Sequence, residues 1–367
     1  RIPVLVAVVA LILASCGDAS PPMPDVPATG AWNPVPTTAG RLTSFAWTEG
    51  DQLLINTGDG TRDFVAGVNV GPTIPGRQPG EQAIGGEDFR RWFPQIAAMG
   101  FRALRVYTIM PPHFYQELET FNLANPEAPL LLIHGVWIPE DRFYETFDLF
   151  DDELVDEFKS EIERAVAVVH GDVTLPDRRG HAGGTYDVDV SPWLMSWVIG
   201  VEWDPFATEA SDVANEGESA YRGEFFENTP EATPTEVWLA EMLDHLAELE
   251  AGRGVTMPMS FVNWPTTDPL IHPDEPLERE DLVGVDHNNI QPTEAWPGGY
   301  YASYHAYPYY PDFQRYEAGV ADFQLNGVDD NYAGYLTKLR DHHAGIPVVI
   351  TEFGVPSAMA SAHYGPQ

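Results

Sequence analysis

Cysteine, lysine and long apolar runs are scarce in this sequence. Its 367 residues include one cysteine, Cys16, so a disulfide framework within the chain is excluded. Basic residues number 19 against 56 acidic residues, which gives a formal net charge of −37. Such a charge disfavours nucleic acid and anionic membrane surfaces as partners. Lysine occurs only at Lys159 and Lys338, which we interpret as compositional bias rather than mechanism.

The sequence also lacks the short motifs that bind nucleotides or build a serine nucleophile. No G-x-S-x-G, Walker or dinucleotide-binding signature is present, and we predict no cofactor. Residues 286–289 (Asp-His-Asn-Asn) are polar, but their spacing matches no metal-binding motif, and we predict no metal. His342 and His343 stand near the end of a predicted helix, where they are interpreted as partners of the helix dipole.

The longest apolar run lies at the start of the chain. It covers residues 2–13, which is too short to span a bilayer, and it ends in Leu13-Ala14-Ser15-Cys16-Gly17. This pattern resembles the lipobox of a bacterial lipoprotein, and an ordinary secretory signal is the alternative. The resemblance implies a signal peptide at 1–15, a lipid on Cys16 and an extracytoplasmic location in the cell envelope, anchored to the membrane. Residues 16–40, rich in proline and small residues, are predicted to tether a catalytic domain at 41–367.

Strand and helix patterns alternate after residue 40, which predicts a parallel sheet flanked by helices. A hairpin is predicted at 45–56, an acidic loop at 205–233 and an irregular stretch at 265–299. The predicted strands lie at 64–70, 103–107, 130–137, 197–202, 257–264, 301–307 and 346–352, and the predicted helices at 86–99, 112–121, 151–169, 234–251 and 329–343. This order predicts an α/β (β/α)8 TIM barrel. Since only seven strands are counted, either the sequence is truncated near strand eight or residues 281–286 form another strand.

Two of the predicted strands end in glutamate. Glu202 follows the apolar run at 197–201, and Glu352 follows the run at 348–351. Barrels of this type keep catalytic groups at the carboxyl ends of their strands. A retaining glycosidase needs two carboxyl groups ~5–5.5 Å apart, one as nucleophile and one as acid. The acid keeps its proton when burial raises its pKa, and Trp203 beside Glu202 is expected to contribute to that burial. A buried salt-bridge role is the alternative for each glutamate.

The order of these strands and glutamates is similar to that of glycoside hydrolase clan A, the retaining (β/α)8-barrel glycosidases, over about residues 42–357. The resemblance implies that Glu202 is the acid/base and Glu352 the nucleophile. One position departs from the clan, whose members usually have asparagine just before the acid/base, bonded to the substrate 2-hydroxyl. Here that residue is Val201. Either another residue makes this bond, or activity on ordinary glucosides and mannosides is lost.

The same resemblance implies supporting residues around the two glutamates. Arg105 on strand two matches the clan's arginine, which keeps the nucleophile ionised by charge and hydrogen bonding. His305 and Tyr307 match a His-x-Tyr pair on strand six, and their alternation places both on one face. Tyr307 is expected to bond Glu352, and His305 to line the sugar site.

Four further residues stand at predicted strand ends and are expected to support or bind substrate: Asn69, Trp137, Asn263 and Trp264. Trp137 and Trp264 are the expected sugar platforms, because pyranose C–H faces stack on aromatic rings. Core packing is the alternative for both tryptophans.

The sequence therefore predicts a retaining β-glycosidase or transglycosidase that acts on a β-linked oligo- or polysaccharide through a glycosyl-enzyme intermediate. Hydrolysis and transfer share this intermediate and differ only in the acceptor. An inactive carbohydrate-binding barrel, favoured by Val201, is the first alternative. A structural envelope lipoprotein that uses the barrel for protein contacts is the second.

Overall fold

The computed structural model describes residues 31–355, apart from the side chain of Pro79, so Cys16 and the predicted signal peptide lie outside the described residues. Parallel strands, each hydrogen-bonded to the next in chain order, form a nearly closed barrel surrounded by helices. This arrangement confirms the predicted α/β barrel of the TIM type. The strands are β1 (Gly67–Asn69), β2 (Ala103–Val106), β3 (Leu131–Val136), β4 (Leu194–Ile199), β5 (Met259–Asn263), β6 (Ala302–His305) and β7 (Val348–Glu352).

Strands β2 to β6 of the barrel are buried on both faces, by the barrel interior on one side and by the helices on the other. Every residue of β2, β3, β4, β5 and β6 is buried. Parallel sheets with helices outside and a packed interior favour such nearly continuous apolar runs. The predicted strand ends differ from the observed ones by a few residues, because the runs continue into the loops that follow.

Most barrel strands are followed by one or more α-helices, although β5 is followed only by short 3₁₀ helices and no helix is described after β7. Within the described residues the α-helices are α1 (Gly86–Ala98), α2 (Pro112–Ala124), α3 (Glu140–Thr146), α4 (Asp152–Val169), α5 (Pro205–Ala214), α6 (Pro234–Gly252), α7 (Phe313–Tyr316) and α8 (Asn331–His342). Helix α6 begins with a capping box, in which the Thr233 hydroxyl accepts from Glu236 N and the Glu236 carboxylate accepts from Thr233 N. Helix α3 was not predicted, because a helix of seven residues has too little apolar periodicity to detect.

A small antiparallel sheet closes the amino-terminal end of the barrel. It consists of Ala46–Glu49, Gln52–Thr57 and Gly60–Arg62, which confirms the predicted hairpin. Within the segment predicted to be a tether, Thr37–Ala39 pairs with Leu42–Ser44. Apolar side chains of this region form one buried cluster with residues at the starts of barrel strands, including Trp32, Phe45, Ile55, Ala103, Leu131 and Met195. The amino-terminal end of the barrel is therefore covered, and a functional site is expected at the carboxyl ends of the strands.

Two predictions for the connecting segments are wrong. The predicted acidic loop at 205–233 contains helix α5, whose N-cap Asp204 accepts from Ala207 N, and a strand, Phe226–Asn228, that pairs with Ile290–Pro292. Residues 281–286 do not form a strand, because a 3₁₀ helix ends at Asp281 and Asp286 caps the following turn. Both errors come from aspartates that act as helix and turn caps rather than as loop or strand residues.

The barrel opens between its first and last strands. Within residues 31–355 the outer edges of β1 and β7 have no strand partner. One side-chain contact crosses this opening, because Asn69 at the end of β1 donates from Nδ2 to Oε2 of Glu352, at 3.3 Å. Among the described residues, no helix has the length and apolar character needed to cross a membrane.

Candidate active site

The two glutamates lie at the carboxyl-terminal mouth of the barrel, in the wall of a cavity of about 850 Å³. Glu352 is the last residue of β7, and Glu202 follows β4 after a sharp turn at Gly200. Gly200 has φ +87°, and a Cβ there would come within 2.6 Å of the Trp203 ring. The turn therefore requires glycine, and it directs the chain so that Glu202 reaches the cavity.

Hydrogen-bond donors surround the Glu352 carboxylate. The hydroxyl of Tyr307 donates to Oε1, and the hydroxyl of Tyr107 donates to Oε2 at 2.8 Å. Asn69 donates to Oε2, and the Arg105 guanidinium lies 3.6 Å from the same oxygen. The expected contacts of Arg105 and Tyr307 with Glu352 are thus present, and Asn69 joins them.

The balance of these contacts favours the ionised form of Glu352. Burial alone raises the pKa of a carboxyl group. The charge of His305, the hydroxyls of Tyr307 and Tyr107, and the charge of Arg105 outweigh that burial, so the pKa of Glu352 is lowered. A carboxylate held in this way is available as a nucleophile near neutral pH.

Glu202 has a different environment from Glu352. Its Oε1 lies 2.7 Å from Nδ1 of His305, while the side chain of Glu202 is 39% exposed against 20% for Glu352. One oxygen of Glu202, one nitrogen of His305 and one oxygen of Glu352 all lie within 4.8 Å of one another. His305 therefore bridges the two carboxyl groups, with its Nδ1 3.9 Å from Oε2 of Glu352.

These same three side chains also form a possible cation site, since two carboxylates and one imidazole suit a divalent metal. Both oxygens of Glu352 already accept hydrogen bonds from tyrosine hydroxyls, and a guanidinium lies beside them. A second positive charge would compete with Arg105 for the same oxygen. The described contacts thus satisfy both oxygens of Glu352 without a cation.

Tryptophan side chains line the cavity on both sides of Glu202. Trp137, just after β3, is 40% exposed and donates from Nε1 to Glu140 at 3.0 Å. Trp264, just after β5, donates from Nε1 to the carbonyl of Trp203 and stacks on Tyr310 with ring centres 6.1 Å apart. Because β4 lies between β3 and β5, the two indoles flank the glutamate.

Trp203 and Asn263, which we expected to support the site or the substrate, lie in the core and do not line the cavity. Trp203 is fully buried, donates from Nε1 to the Val262 carbonyl at 2.8 Å and packs edge-on against Trp238. Asn263 is also fully buried, and its Nδ2 donates to the Val285 carbonyl. Trp203 bonds a carbonyl of the neighbouring strand β5, and Asn263 bonds a carbonyl of the segment between β5 and β6, so each side chain has its polar partner in the interior. They support the mouth without lining it.

Tyr107 is the main site residue that our sequence reasoning did not find. It stands two residues after Arg105, so alternation along β2 places the two side chains on one face. The Arg105 guanidinium lies 4.8 Å from the centre of the Tyr107 ring. The alternation that pointed to His305 and Tyr307 was therefore present in Arg105-Val106-Tyr107 as well. Glu140 and Tyr144, which belong to the unpredicted helix α3, also line the cavity.

Comparison with known proteins gives only distant similarities. No protein-family model matches the chain, and no curated protein does. A GH2 β-galacturonidase from Eisenbergiella tayi, solved bound to galacturonate, aligns at 15% identity and a TM-score of 0.44 over 87% of this chain. An endo-laminarinase from Formosa Hel1_33_131 aligns at 16% identity and a TM-score of 0.42 over 79% of this chain. The chain covers 40% and 66% of the lengths of these two proteins.

Proposed function

We propose that this protein is a retaining β-glycosidase or transglycosidase that acts on a β-linked oligo- or polysaccharide. The observation that supports this most strongly is the pair Glu202 and Glu352, with carboxyl oxygens within 4.8 Å at the mouth of the barrel. The inverting mechanism needs room for a water between its carboxyl groups and a separation of ~6.5–9.5 Å. The short separation here favours direct attack by one carboxylate.

In the proposed reaction, the ionised carboxylate of Glu352 attacks the anomeric carbon of the substrate. The bond to the leaving oxygen breaks, and Glu202 donates a proton to that oxygen. A covalent glycosyl-enzyme results, and the same Glu202 then takes a proton from the incoming water or sugar hydroxyl. His305 bonds Glu202 through Nδ1, and an imidazole can donate to the carboxylate or accept from the carboxylic acid in the two stages.

The position of Val201 requires another partner for the substrate 2-hydroxyl. Val201 is buried in the cavity wall and has no polar side-chain atom. Two of the polar groups next to the nucleophile, the Tyr107 hydroxyl and the Asn69 amide, lie within hydrogen-bond distance of the same oxygen, Oε2 of Glu352. The 2-hydroxyl is adjacent to the anomeric carbon, so these groups are the ones placed to bond it.

The cavity volume and its aromatic walls are suited to a chain of sugars. Trp137 and Trp264 line the cavity on either side of Glu202. About 850 Å³ lies within the ~300–1,000 Å³ range of small-molecule sites. Sugar residues on both sides of the cleaved bond would thus contact an indole.

A digestion panel tests the proposal. The protein is incubated with β-linked glucans, mannans, galactans and uronic-acid polymers, and the products are identified by mass and by new reducing ends. We expect shorter oligosaccharides, or longer ones if a sugar is the acceptor, from at least one class. Binding of a glycan without any product would instead favour the inactive carbohydrate-binding barrel, for which Val201 is the argument.

Replacing Tyr107 by Phe is expected to lower kcat/KM by about 10- to 100-fold, because one hydrogen bond to a charged group contributes ~1.5–3 kcal/mol. The Tyr107 hydroxyl lowers the pKa of Glu352, so its removal raises that pKa. The acid side of the kcat/KM profile should therefore shift to higher pH. Tyr221→Phe is the matched control, since it removes a 2.9 Å bond to the Asp244 carboxylate away from the cavity. If the pH profile of kcat/KM is the same for Tyr107→Phe and Tyr221→Phe, Tyr107 does not act in the active site.

We further propose that the protein is a lipoprotein of the cell envelope, anchored to the membrane through Cys16 on the extracytoplasmic side. The lipobox-like sequence around the only cysteine supports this. Replacing Cys16 by Ser should move the full-length protein from the membrane fraction to the soluble fraction, or leave it unprocessed, because lipid attachment requires the thiol. Stable anchoring takes more than one acyl chain. A Cys16→Ser protein that is processed and still sediments with membranes would contradict the lipid anchor.

A further inference from the structure

A second group of possible metal ligands lies outside the proposed active site. It combines Asp286, in the turn that precedes Ile290–Pro292, with His342 and His343 at the carboxyl end of α8. One ligand atom from each residue lies within 4.8 Å of the other two. The Asp286 carboxylate is 2.8 Å from Nε2 of His342 and 3.9 Å from Nδ1 of His343. None of the three residues lines the active-site cavity.

A fourth donor lies against the group. The side-chain oxygen of Asn288 is 2.9 Å from Nδ1 of His343. Four ligands at zinc–ligand distances of ~2.0–2.2 Å in a tetrahedron are separated from one another by ~3.3–3.6 Å. Three of the six donor pairs are separated by 2.8, 2.9 and 3.9 Å, distances that bracket this value, and His342 and His343 bond or approach different oxygens of Asp286.

We propose that Asp286, His342 and His343, with the amide oxygen of Asn288, form a structural site for a divalent transition-metal ion. Two imidazoles and one carboxylate are ligands that favour zinc over calcium or magnesium, which prefer sites made of oxygen alone. The ion would join the turn at 286–289 to the end of α8, two segments more than 50 residues apart in the sequence.

The surroundings hold these ligands in place. Asn288 N donates to Asp286 Oδ1 at 2.9 Å, and Asn288 Nδ2 donates to the His342 carbonyl at 3.0 Å. Without an ion, Nδ1 of His343 donates to the amide oxygen of Asn288 and Nε2 lies 2.8 Å from the Tyr304 hydroxyl. With an ion on Nδ1, the ring proton would move to Nε2, which can then donate to the Tyr304 hydroxyl. Metal-binding histidines commonly have such a partner on the other ring nitrogen. The site is therefore supported before any ion arrives.

Beside the group, Nδ1 of His287 is buried and has no hydrogen-bond partner within residues 31–355, and its ring centre lies 5.7 Å from that of His343. The described side chains alone leave this nitrogen unsatisfied.

The competing interpretation is an ion pair between Asp286 and a protonated His342 at a helix end, which needs no metal. Untagged protein, first treated with a chelator, is titrated with Zn²⁺ by calorimetry, and with Co²⁺ by absorption spectroscopy. We expect one ion per chain at this site, a visible Co²⁺ band typical of four-coordinate geometry, and a thermal midpoint that rises with added Zn²⁺. The Co²⁺ spectrum needs no variant and so does not depend on how a substitution folds.

Three variants locate the ion. His342→Gln is expected to weaken Zn²⁺ binding at least ~10-fold, since outer-shell changes alone commonly cost 10- to 100-fold. His245→Gln, which removes a histidine paired with Glu163 on another helix, should bind as the wild type does. Glu352→Gln should also bind normally, which separates this site from the three donors at the barrel mouth. Equal affinity of His342→Gln and the wild type, or no Zn²⁺ binding by the wild type at micromolar concentrations, would overturn the proposal in favour of the ion pair.

Discussion

Replacing Glu352 by Ala is expected to abolish turnover on every glycoside, with a loss of at least ~10⁴-fold in kcat. Glu352 is the carboxylate whose two oxygens accept from Tyr307 and Tyr107 and whose pKa its neighbours lower. Without it, no covalent intermediate can form. Initial rates on an aryl β-glycoside and on the polysaccharide found in the digestion panel measure the effect.

The control for this variant is Glu241→Ala, which removes a half-exposed glutamate that pairs with Lys159 on the helical layer, at 2.6 Å. We expect full activity from it, because an ion pair of this exposure contributes at most ~1 kcal/mol to stability and nothing to the site. Substantial activity in Glu352→Ala, with its fold intact by circular dichroism, would show that the nucleophile lies elsewhere.

Replacing Glu202 by Ala is expected to have an effect that depends on the leaving group. Unactivated substrates should lose turnover by about 10²- to 10⁴-fold, the range for general acid catalysis. An aryl glycoside with a good leaving group needs little protonation, so its first step should survive. Water then lacks its base, and the glycosyl-enzyme should accumulate, which a burst of released phenol detects. The exposed position of Glu202 beside His305 leaves room for an incoming acceptor.

Azide distinguishes the two carboxyl groups further. Azide needs no general base, so it should restore turnover of Glu202→Ala and give a β-glycosyl azide. If azide instead restores turnover of Glu352→Ala, gives an α-glycosyl azide and has no effect on Glu202→Ala, then Glu202 is the nucleophile and Glu352 the acid/base. If neither substitution changes activity, the proposed site is wrong.

Much of the barrel was predictable, because its strands are apolar runs with no competing interpretation. The apolar runs of β3, β4 and β7 were recognisable in the sequence. Strand β3 ends at Val136, β4 ends just before Gly200, and β7 ends at Glu352. The errors came where the sequence has few apolar residues. Helix α5 was assigned to a loop since its stability comes from the Asp204 cap and contacts with α6 rather than from periodicity.

The site was predictable where one face of a strand holds polar residues. His305 and Tyr307 alternate after β6, and both contact a glutamate carboxyl group. Tyr107 alternates with Arg105 at the end of β2 in the same way. We did not predict it, because Arg105 alone was expected to be the functional residue of that strand. Trp203 and Asn263 show the opposite limit: their positions at strand ends pointed to the mouth, while the backbone carbonyls of Val262 and Val285 accept from these side chains in the interior. Sequence position alone does not reveal which backbone carbonyls a side chain will meet.

Proton NMR of the first product formed from a β-linked substrate tests the central claim most directly. The claim is that Glu202 and Glu352, with carboxyl oxygens within 4.8 Å, catalyse a double displacement. The product should appear first as the β-anomer, and the α-anomer should follow only at the rate of spontaneous mutarotation. If the α-anomer appears first, the reaction inverts configuration, and the proposed glycosyl-enzyme at Glu352 is contradicted.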